Sequence, residues 1–429
     1  MKRAILAITL LMIAASASAQ TRLTFDDAVR RALEVNNTIE RSRADIGVAR
    51  SSRDFLLSAV MPRIELNGAL TRNSIEQTFG EGSDSIAILP RNDWNYSITL
   101  SQPIFAGRRE LRAYSQAKLG VQNAIEGTSA TEDGTLLRVS SSYLALVNSD
   151  ARMDIERLNI EIAGRRRTQA QAFFDAGEVT RVDVLRAETA IKAAQRILAG
   201  AEQARNAAES DLRAALDLTG PIEPASPARQ TPPIPDEETL VRRALESRPD
   251  VDIAENNLKI ANLEISKQKG YWLPTVFFDG GWISQKTPFP ADQYSYGSLR
   301  FNVPIFQSGE VVARVAGARQ RELQAKLDLE NTKVSVREDI RKALVDRRAA
   351  ATSLGLAREQ LEAAEAEYAQ SFELYRAQES TSLDLSSSET SLAEARRAVA
   401  EETLNHDLAG LRVWYAAGAI KEALGVASK

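Results

Sequence analysis

Few residues in this chain of 429 could carry covalent chemistry. It has no Cys and a single His, His406. That excludes a thiol nucleophile, a Cys-ligated metal, a disulfide and a lipidated Cys anchor. It also excludes a His-rich metal site and any mechanism needing two imidazoles. An enzyme would need a nucleophile beside a base, and His406 falls on a heptad seam, where packing is its expected role. No catalytic residue, metal or cofactor is therefore expected. The chemistry that remains is electrostatic. Glu65, Asn67, Asp279 and Arg300 stand in segments of alternating character, which places them on the polar side of each segment. Such faces, if they line water, sort solutes by charge and make or break no bond.

Those segments need elements to hold them, and composition limits which. Lys+Arg 54 against Asp+Glu 58 gives a net charge of −4, without the basic footprint of a nucleic-acid binder. Beyond residue 20 no apolar run is long enough for a membrane-spanning helix. Residues 1–19 read as a signal peptide. Lys2 and Arg3 supply the basic start, Ala4 to Ala15 is apolar, and Ala17-Ser18-Ala19 is a small-residue cleavage site. With no Cys after that site the exported chain is not a lipoprotein. Its expected location is the periplasm, the outer membrane or the outside.

An internal repeat organises the rest. Val29-Arg30-Arg31-Ala32-Leu33-Glu34 recurs at Val241 to Glu246, a shift of 212 that also carries Pro62 onto Pro274, Ile64 onto Val276 and Gly68 onto Gly280. Pro103-Ile104-Phe105 recurs at Pro304 to Phe306, a shift of 201 that persists through Phe174/Tyr375 and Asp183/Asp384. The expected domains are a first repeat over 20–220, a stiff Pro-rich linker over 221–236, a second repeat over 237–424 and a tail over 425–429. Each repeat reads as helix, strand, strand, helix, helix. First helices are expected over Phe25 to Val60 and Glu237 to Gly270, each stopping before a proline.

After Gly107 and Gly309, helical pattern runs without proline to Phe174 and Tyr375. At 1.5 Å per residue such a helix is about 100 Å long. Leu354, Leu361, Tyr368 and Tyr375 recur every seven residues, as do Leu385, Leu392, Val399, His406 and Val413. This is coiled-coil spacing. By itself it fits a wall of side-by-side helices or a coiled-coil rod.

The strands decide between them. Expected at about 62–72, 94–105, 274–285 and 295–306, they alternate apolar with polar residues, as in Trp94, Tyr96, Ile98 and Leu100 against Asn95, Ser97, Thr99 and Ser101. Such runs fit transmembrane β-strands. They also fit a small soluble sheet, the alternative being a structural periplasmic coiled-coil protein. Export, aromatics near strand ends (Trp94, Tyr96, Trp272, Trp282) and polar connecting loops favour the membrane. Four strands cannot close a barrel, and an open edge cannot sit in lipid, so chains must share one. Two chains give eight strands and a filled interior; three give twelve and room for a conduit.

These residues resemble the TolC-like outer membrane efflux proteins over essentially all of the mature chain. The resemblance rests on the duplicated Arg-Ala-Leu-Glu starts, Pro62 and Pro274 at strand entry, the Pro-Ile-Phe turns, and Phe-x-x-Gly-x(5)-Asp-Val-Leu at Phe174–Leu185. It implies an α+β membrane protein: a homotrimer whose twelve-stranded transmembrane barrel in the outer membrane continues as a long α-helical coiled-coil barrel across the periplasm of a Gram-negative bacterium. It implies a passive exit duct for efflux or type I secretion, working with a periplasmic adaptor and an inner-membrane pump of resistance-nodulation-division or ABC type. It also implies a gate at the turns Phe174 to Leu185 and Tyr375 to Leu385. There Tyr375 matches the gating Tyr, Asp384 the ring-forming acid and Asp183 the acid holding the closed state, with Glu178 and Glu379 in the same turns. Asp183 and Asp384 also read as N-caps of the helices that follow. Departures are Gln378 where the first turn has Gly177, Ser380 at the position of the basic partner of Asp183, and Ser387 at that of a second ring acid. Arg181 and Arg376 are the alternative partners for Asp183.

Overall fold

Prolines, turn residues and caps decide where each element of the computed structural model begins and ends. It describes residues 21–80, 86–225, 232–287 and 290–426. The signal peptide over 1–19, the middle of the linker (226–231) and the last residues of the tail (427–429) lie outside the described residues. In chain order the elements are β1 (Thr21–Leu23), α1 (Phe25–Val35), α2 (Asn37–Ser58), β2 (Arg63–Arg72), β3 (Gln77–Phe79), β4 (Ile86–Leu89), β5 (Asn92–Ala106), α3 (Arg109–Asp175), α4 (Arg181–Leu216) and β6 (Ile222–Pro224). There follow α5 (Glu237–Ser247), α6 (Pro249–Lys269), a single 3₁₀ turn at Gly270–Trp272, β7 (Thr275–Gln285), β8 (Gln293–Asn302), α7 (Glu310–Arg376), α8 (Ser382–Ala416) and α9 (Ile420–Ala423).

Each expected first helix is two helices. The chain leaves helical geometry at Asn36 (φ −72°, ψ 117°) and at Arg248 (φ −78°, ψ 127°), positions 212 residues apart. Asn36 makes its break with its own amide: its oxygen accepts the Thr38 N–H at 3.0 Å, and its nitrogen donates to the Ala215 carbonyl at 3.1 Å. At the second break Pro249 follows and disfavours helix at the preceding residue. Left-handed residues recur with the other spacing, at Gly107-Arg108 and Ser308-Gly309, Gly177 and Gln378, and Asp217 and Gly418.

The chain divides into two units. The described parts of 1–41, 128–249 and 333–429 form the first; 42–127 and 250–332 form the second. In the first, Leu23, Phe25, Val29, Leu136, Tyr143, Leu212, Leu216, Ile222, Leu411 and Ile420 share one apolar core. β1 and β6 pair in parallel beside it, Thr21 opposite Ile222, so part of the Pro-rich linker is strand. Tyr143 closes this corner, its ring edge-on to Phe25 at 5.4 Å and its hydroxyl donating to the Leu23 carbonyl at 3.1 Å. Elsewhere the heptad seams are buried in part: Leu392 and Ala395 pack with Ile162 and Ala364, flanked by half-buried Leu361 and Tyr368, while Val399 and His406 are half-buried. Several ion pairs cross these helices. Arg397 grips the buried Glu156 with two hydrogen bonds, of 2.6 and 2.9 Å. Burial would raise the Glu156 carboxyl, but hydrogen bonds from Arg397 and Asn159 outweigh it and the net shift is downward.

The second unit holds an antiparallel four-stranded sheet in the order β2-β5-β7-β8. Its two hairpins have the same register. Ile64 faces Leu100 and Leu70 faces Trp94; at shifts of 212 and 201, Val276 faces Phe301 and Trp282 faces Ser295. β5 carries a bulge between Pro103 and Phe105 before it pairs Phe105 with Val276. β8 stops at Asn302, short of the residue 306 expected from the sequence. β3 and β4, which the sequence pattern did not reveal, pair with each other. They carry exposed Phe79, Ile86 and Ile88, so this connection is less polar than expected. Where β5 hands over to α3, Gly107 and Gly270 touch backbone to backbone. A Cβ on Gly270 would stand 2.5 Å from the Gly107 oxygen. Beside them the Tyr271 ring lies between the guanidinium groups of Arg109 and Arg314, at 4.5 and 4.9 Å.

Candidate functional site

The two turns singled out by sequence, α3 to α4 and α7 to α8, share one backbone plan. Gly177 N–H donates to the Phe174 carbonyl and Glu178 N–H to that of Phe173; Gln378 and Glu379 do the same to Tyr375 and Leu374. The left-handed residue this closure needs is Gly177 (φ 79°) in one turn and Gln378 (φ 61°) in the other.

Asp183 and Asp384 are not the N-cap residues expected. Thr180 and Thr381 hold those places, and the acids sit at the third helical position of a capping box. Asp384 Oδ2 accepts the Thr381 N–H at 3.0 Å and its hydroxyl at 2.6 Å; Asp183 Oδ2 accepts the same groups of Thr180 at 3.2 and 2.9 Å. Their surroundings otherwise differ. Asp183 Oδ1 also accepts the Ser382 hydroxyl at 2.8 Å and lies 3.6 Å from Arg186. The Ser382 hydrogen bond is the main cause that holds the Asp183 carboxyl below its usual range. Asp384 is exposed, is held low by its bonds from Thr381, and has no ion-pair partner among the described residues. A second bridge joins the turns, from the Gln378 amide to the Glu178 carboxylate. Glu379 is exposed.

Neither Arg181 nor Arg376 serves Asp183: Arg376 pairs with Glu373 on its own helix, and Ser382 and Arg186 take that part. Tyr375 is 3% exposed, so its ring is packed, edge-on to Phe173 at 5.6 Å, and its hydroxyl has no hydrogen-bond partner among the described residues. Burial, and then the charge of Asp183, raise its phenol. Nearby lies a pair that sequence reasoning missed. Arg166 meets Glu389 at 2.6 Å with both side chains nearly enclosed. Burial outweighs the attraction of Arg166 and pushes the Glu389 carboxyl up to about 7. A cavity of about 440 Å³ borders Arg166, Asp183, Tyr375 and Ser382. The signal for Ser382 was the shift of 201, under which it replaces Arg181; nothing in one helix's pattern marks Arg166 for Glu389.

The second candidate site is the sheet. Its registers put Ile64, Leu66, Leu70, Trp94, Ile98, Leu100, Phe278, Trp282, Leu299 and Phe301 on one face. Glu65, Asn67, Thr99, Ser101, Asp279 and Arg300 share the other. There Asp279 accepts the Ser101 hydroxyl at 2.9 Å and Arg300 at 2.6 and 3.1 Å. Glu65, Asn67, Asp279 and Arg300 therefore lie on one surface of one sheet. No group of three or more potential metal ligands occurs among the described residues, and no helix there is long and apolar enough to cross a membrane.

Known proteins resemble this chain along its length. The sequence pattern of the outer membrane efflux protein family matches twice, over residues 28–217 and 240–418. The outer membrane efflux protein BepC of Brucella suis is 22% identical over 391 residues, 90% of this chain and 82% of BepC. The alkaline protease secretion protein AprF of Pseudomonas aeruginosa is 22% identical over 337 residues, 74% of this chain and 68% of AprF. The open-state outer membrane channel MtrE of Neisseria gonorrhoeae superposes with a TM-score of 0.75 at 18% identity, covering 92% of this chain and 89% of MtrE.

Proposed function

The chain belongs to the outer membrane efflux protein family, so it is a channel reaching from the outer membrane into the periplasm and not an enzyme, and we propose that three copies close one twelve-stranded barrel. The observation that carries this is the sheet: one face apolar, one face charged and polar, and both edge strands exposed along their length. In lipid the apolar face meets acyl chains, and each edge must find a partner strand. Three copies supply twelve strands, wide enough for the face with Glu65, Asn67, Asp279 and Arg300 to line water. α3, α4, α7 and α8 of the three chains continue the duct as a coiled-coil wall in the periplasm. The two repeats are 20–220 and 237–424, joined by the linker over 221–236, with 425–429 as a tail.

The duct passes substrate passively for an efflux or secretion system. Its partners are a periplasmic adaptor and an inner-membrane pump of the resistance-nodulation-division or ABC type. The gate lies at the two turns. Three copies of Asp384, exposed and without a cation partner among the described residues, form an acidic ring at its mouth with Glu379 nearby. Asp183, tied to Ser382, and Glu178, tied to Gln378, hold the two turns together in the closed duct. Tyr375 supports them from within the packing. The reading is tested by fractionating the envelope and measuring the mass of the detergent-extracted complex. Outer-membrane material with three times the chain mass is expected; a soluble monomer overturns it.

A further inference from the structure

The same tripeptide is treated differently in the two halves of the sheet. Pro103-Ile104-Phe105 lies within β5, where β7 pairs it across a bulge. Pro304-Ile305-Phe306 follows β8 and belongs to no strand, with Ile305 94% and Phe306 85% exposed. The difference is one of neighbours. β5 has β7 beside it, whereas β8 is an edge.

We infer that the edge of β8 pairs with β2 of the next copy in the register of β5 on β7, and that residues 303–307 become strand when it does. This rests on the shared barrel proposed above. The two shifts that relate the hairpins predict the register. All ten pairs of β2 with β5 become pairs of β7 with β8 when 212 is added on one side and 201 on the other. The contact between hairpins obeys the same rule if the barrel repeats its unit. Ser101 opposite Asp279 then becomes Asn302 opposite Asn67 of the next copy, and Thr99 opposite Gly281 becomes Arg300 opposite Ala69. Beyond the bulge, Phe105 opposite Val276 becomes Phe306 opposite Ile64.

The residues brought together are compatible. Ile98 faces Trp282 and Leu100 faces Gly280 in the observed contact. In the inferred one Leu299 faces Leu70 and Phe301 faces Gly68, again two apolar residues and then a large residue against glycine. Polar residues meet polar or small ones on the other face. A slip of one residue would drive Leu299 and Phe301 onto the charged face. A slip of two keeps the faces and breaks the equivalence, so it is the competitor to test.

The Cys-free chain is suited to this. Paired variants Asn302→Cys with Asn67→Cys, Phe301→Cys with Gly68→Cys, and Phe306→Cys with Ile64→Cys are oxidised in isolated outer membranes and run on denaturing gels. Adjacent pairs are included because only alternate pairs bring Cβ atoms within disulfide reach. Disulfide-linked ladders up to trimer are expected from at least one of the first two pairs and from the third. Cross-linking instead of Asn302→Cys with Glu65→Cys or Ala69→Cys overturns the register and leaves the trimer standing. So does an uncross-linked complex of trimeric mass. Silence of the Phe306/Ile64 pair alone overturns the added strand. A monomer that never cross-links overturns the trimeric reading itself.

Discussion

Asp183 and Asp384 occupy equivalent places 201 residues apart, yet one is enclosed by partners and the other faces water. Charge and cap are separable at Asp384. Asp384→Asn keeps an oxygen for Thr381 but removes the charge, so it should abolish cation block of single-channel current with little change in melting temperature. Asp384→Ala should lose both. Unchanged block in planar bilayers with either variant would end the ring proposal. Glu389 sets a pH dependence. Between about 4.5 and about 7 the folded chain keeps a proton that the unfolded chain has released. Raising pH through that window therefore favours unfolding, and the loss is complete above about 7, on the order of 3 kcal/mol. Below 4.5 both states are protonated and this contribution is fully present. Thermal melts in detergent across pH 4 to 8 should show this slope in the native chain and not in Glu389→Gln. At this scale the sequence marked Asp183 but not Ser382, and neither Arg166 nor Glu389, because each partner comes from a helix about two hundred residues away.

At the scale of elements, glycine is needed for two separate reasons. Gly177 has φ 79° and open space where a Cβ would go. Gly177→Ala should therefore cost about 1 kcal/mol, the conformational term alone, and Gln378 in the matching turn already bears such a term. Gly270 is a steric case, since its Cβ would meet the Gly107 oxygen at 2.5 Å and Arg109 Cγ at 2.7 Å. Gly270→Ala should cost more, about 1–3 kcal/mol, as backbone must move. Melting temperatures of both variants check the order; equal losses would mean that this junction yields easily. Long helices were legible because the heptad repeat runs through them. The break at Asn36 was not, since it depends on a carbonyl at Ala215 that only the packing brings near.

For the whole molecule the sheet faces make neighbouring residues diverge. Leu66 and Asn67 are consecutive in β2 and point to opposite sides. In the proposed barrel Leu66→Arg puts a charge toward lipid and should cost about 2–4 kcal/mol, seen as loss of heat-resistant oligomer on semi-native gels. Asn67→Arg should assemble normally and shift the reversal potential in a salt gradient toward anions. Equal damage from both would contradict the assignment of faces. Alternation along the chain makes these faces readable, because side chains of a strand change sides at every residue.

What the sequence alone determined is what local pattern can carry: no covalent chemistry, two offsets relating the halves, alternating faces, seam residues of the long helices and the family they resemble. The tertiary structure decided what depends on neighbours distant along the chain. It broke the first helices, seated Asp183 and Asp384 behind threonine caps, enclosed Arg166 with Glu389 and buried Tyr375. It also ended β8 at Asn302 while the same tripeptide in β5 stayed strand. The physical reason is common to all of these. Periodicity tells which way a side chain points, but a hydrogen bond, a buried charge or a strand edge is completed only by what the fold sets beside it.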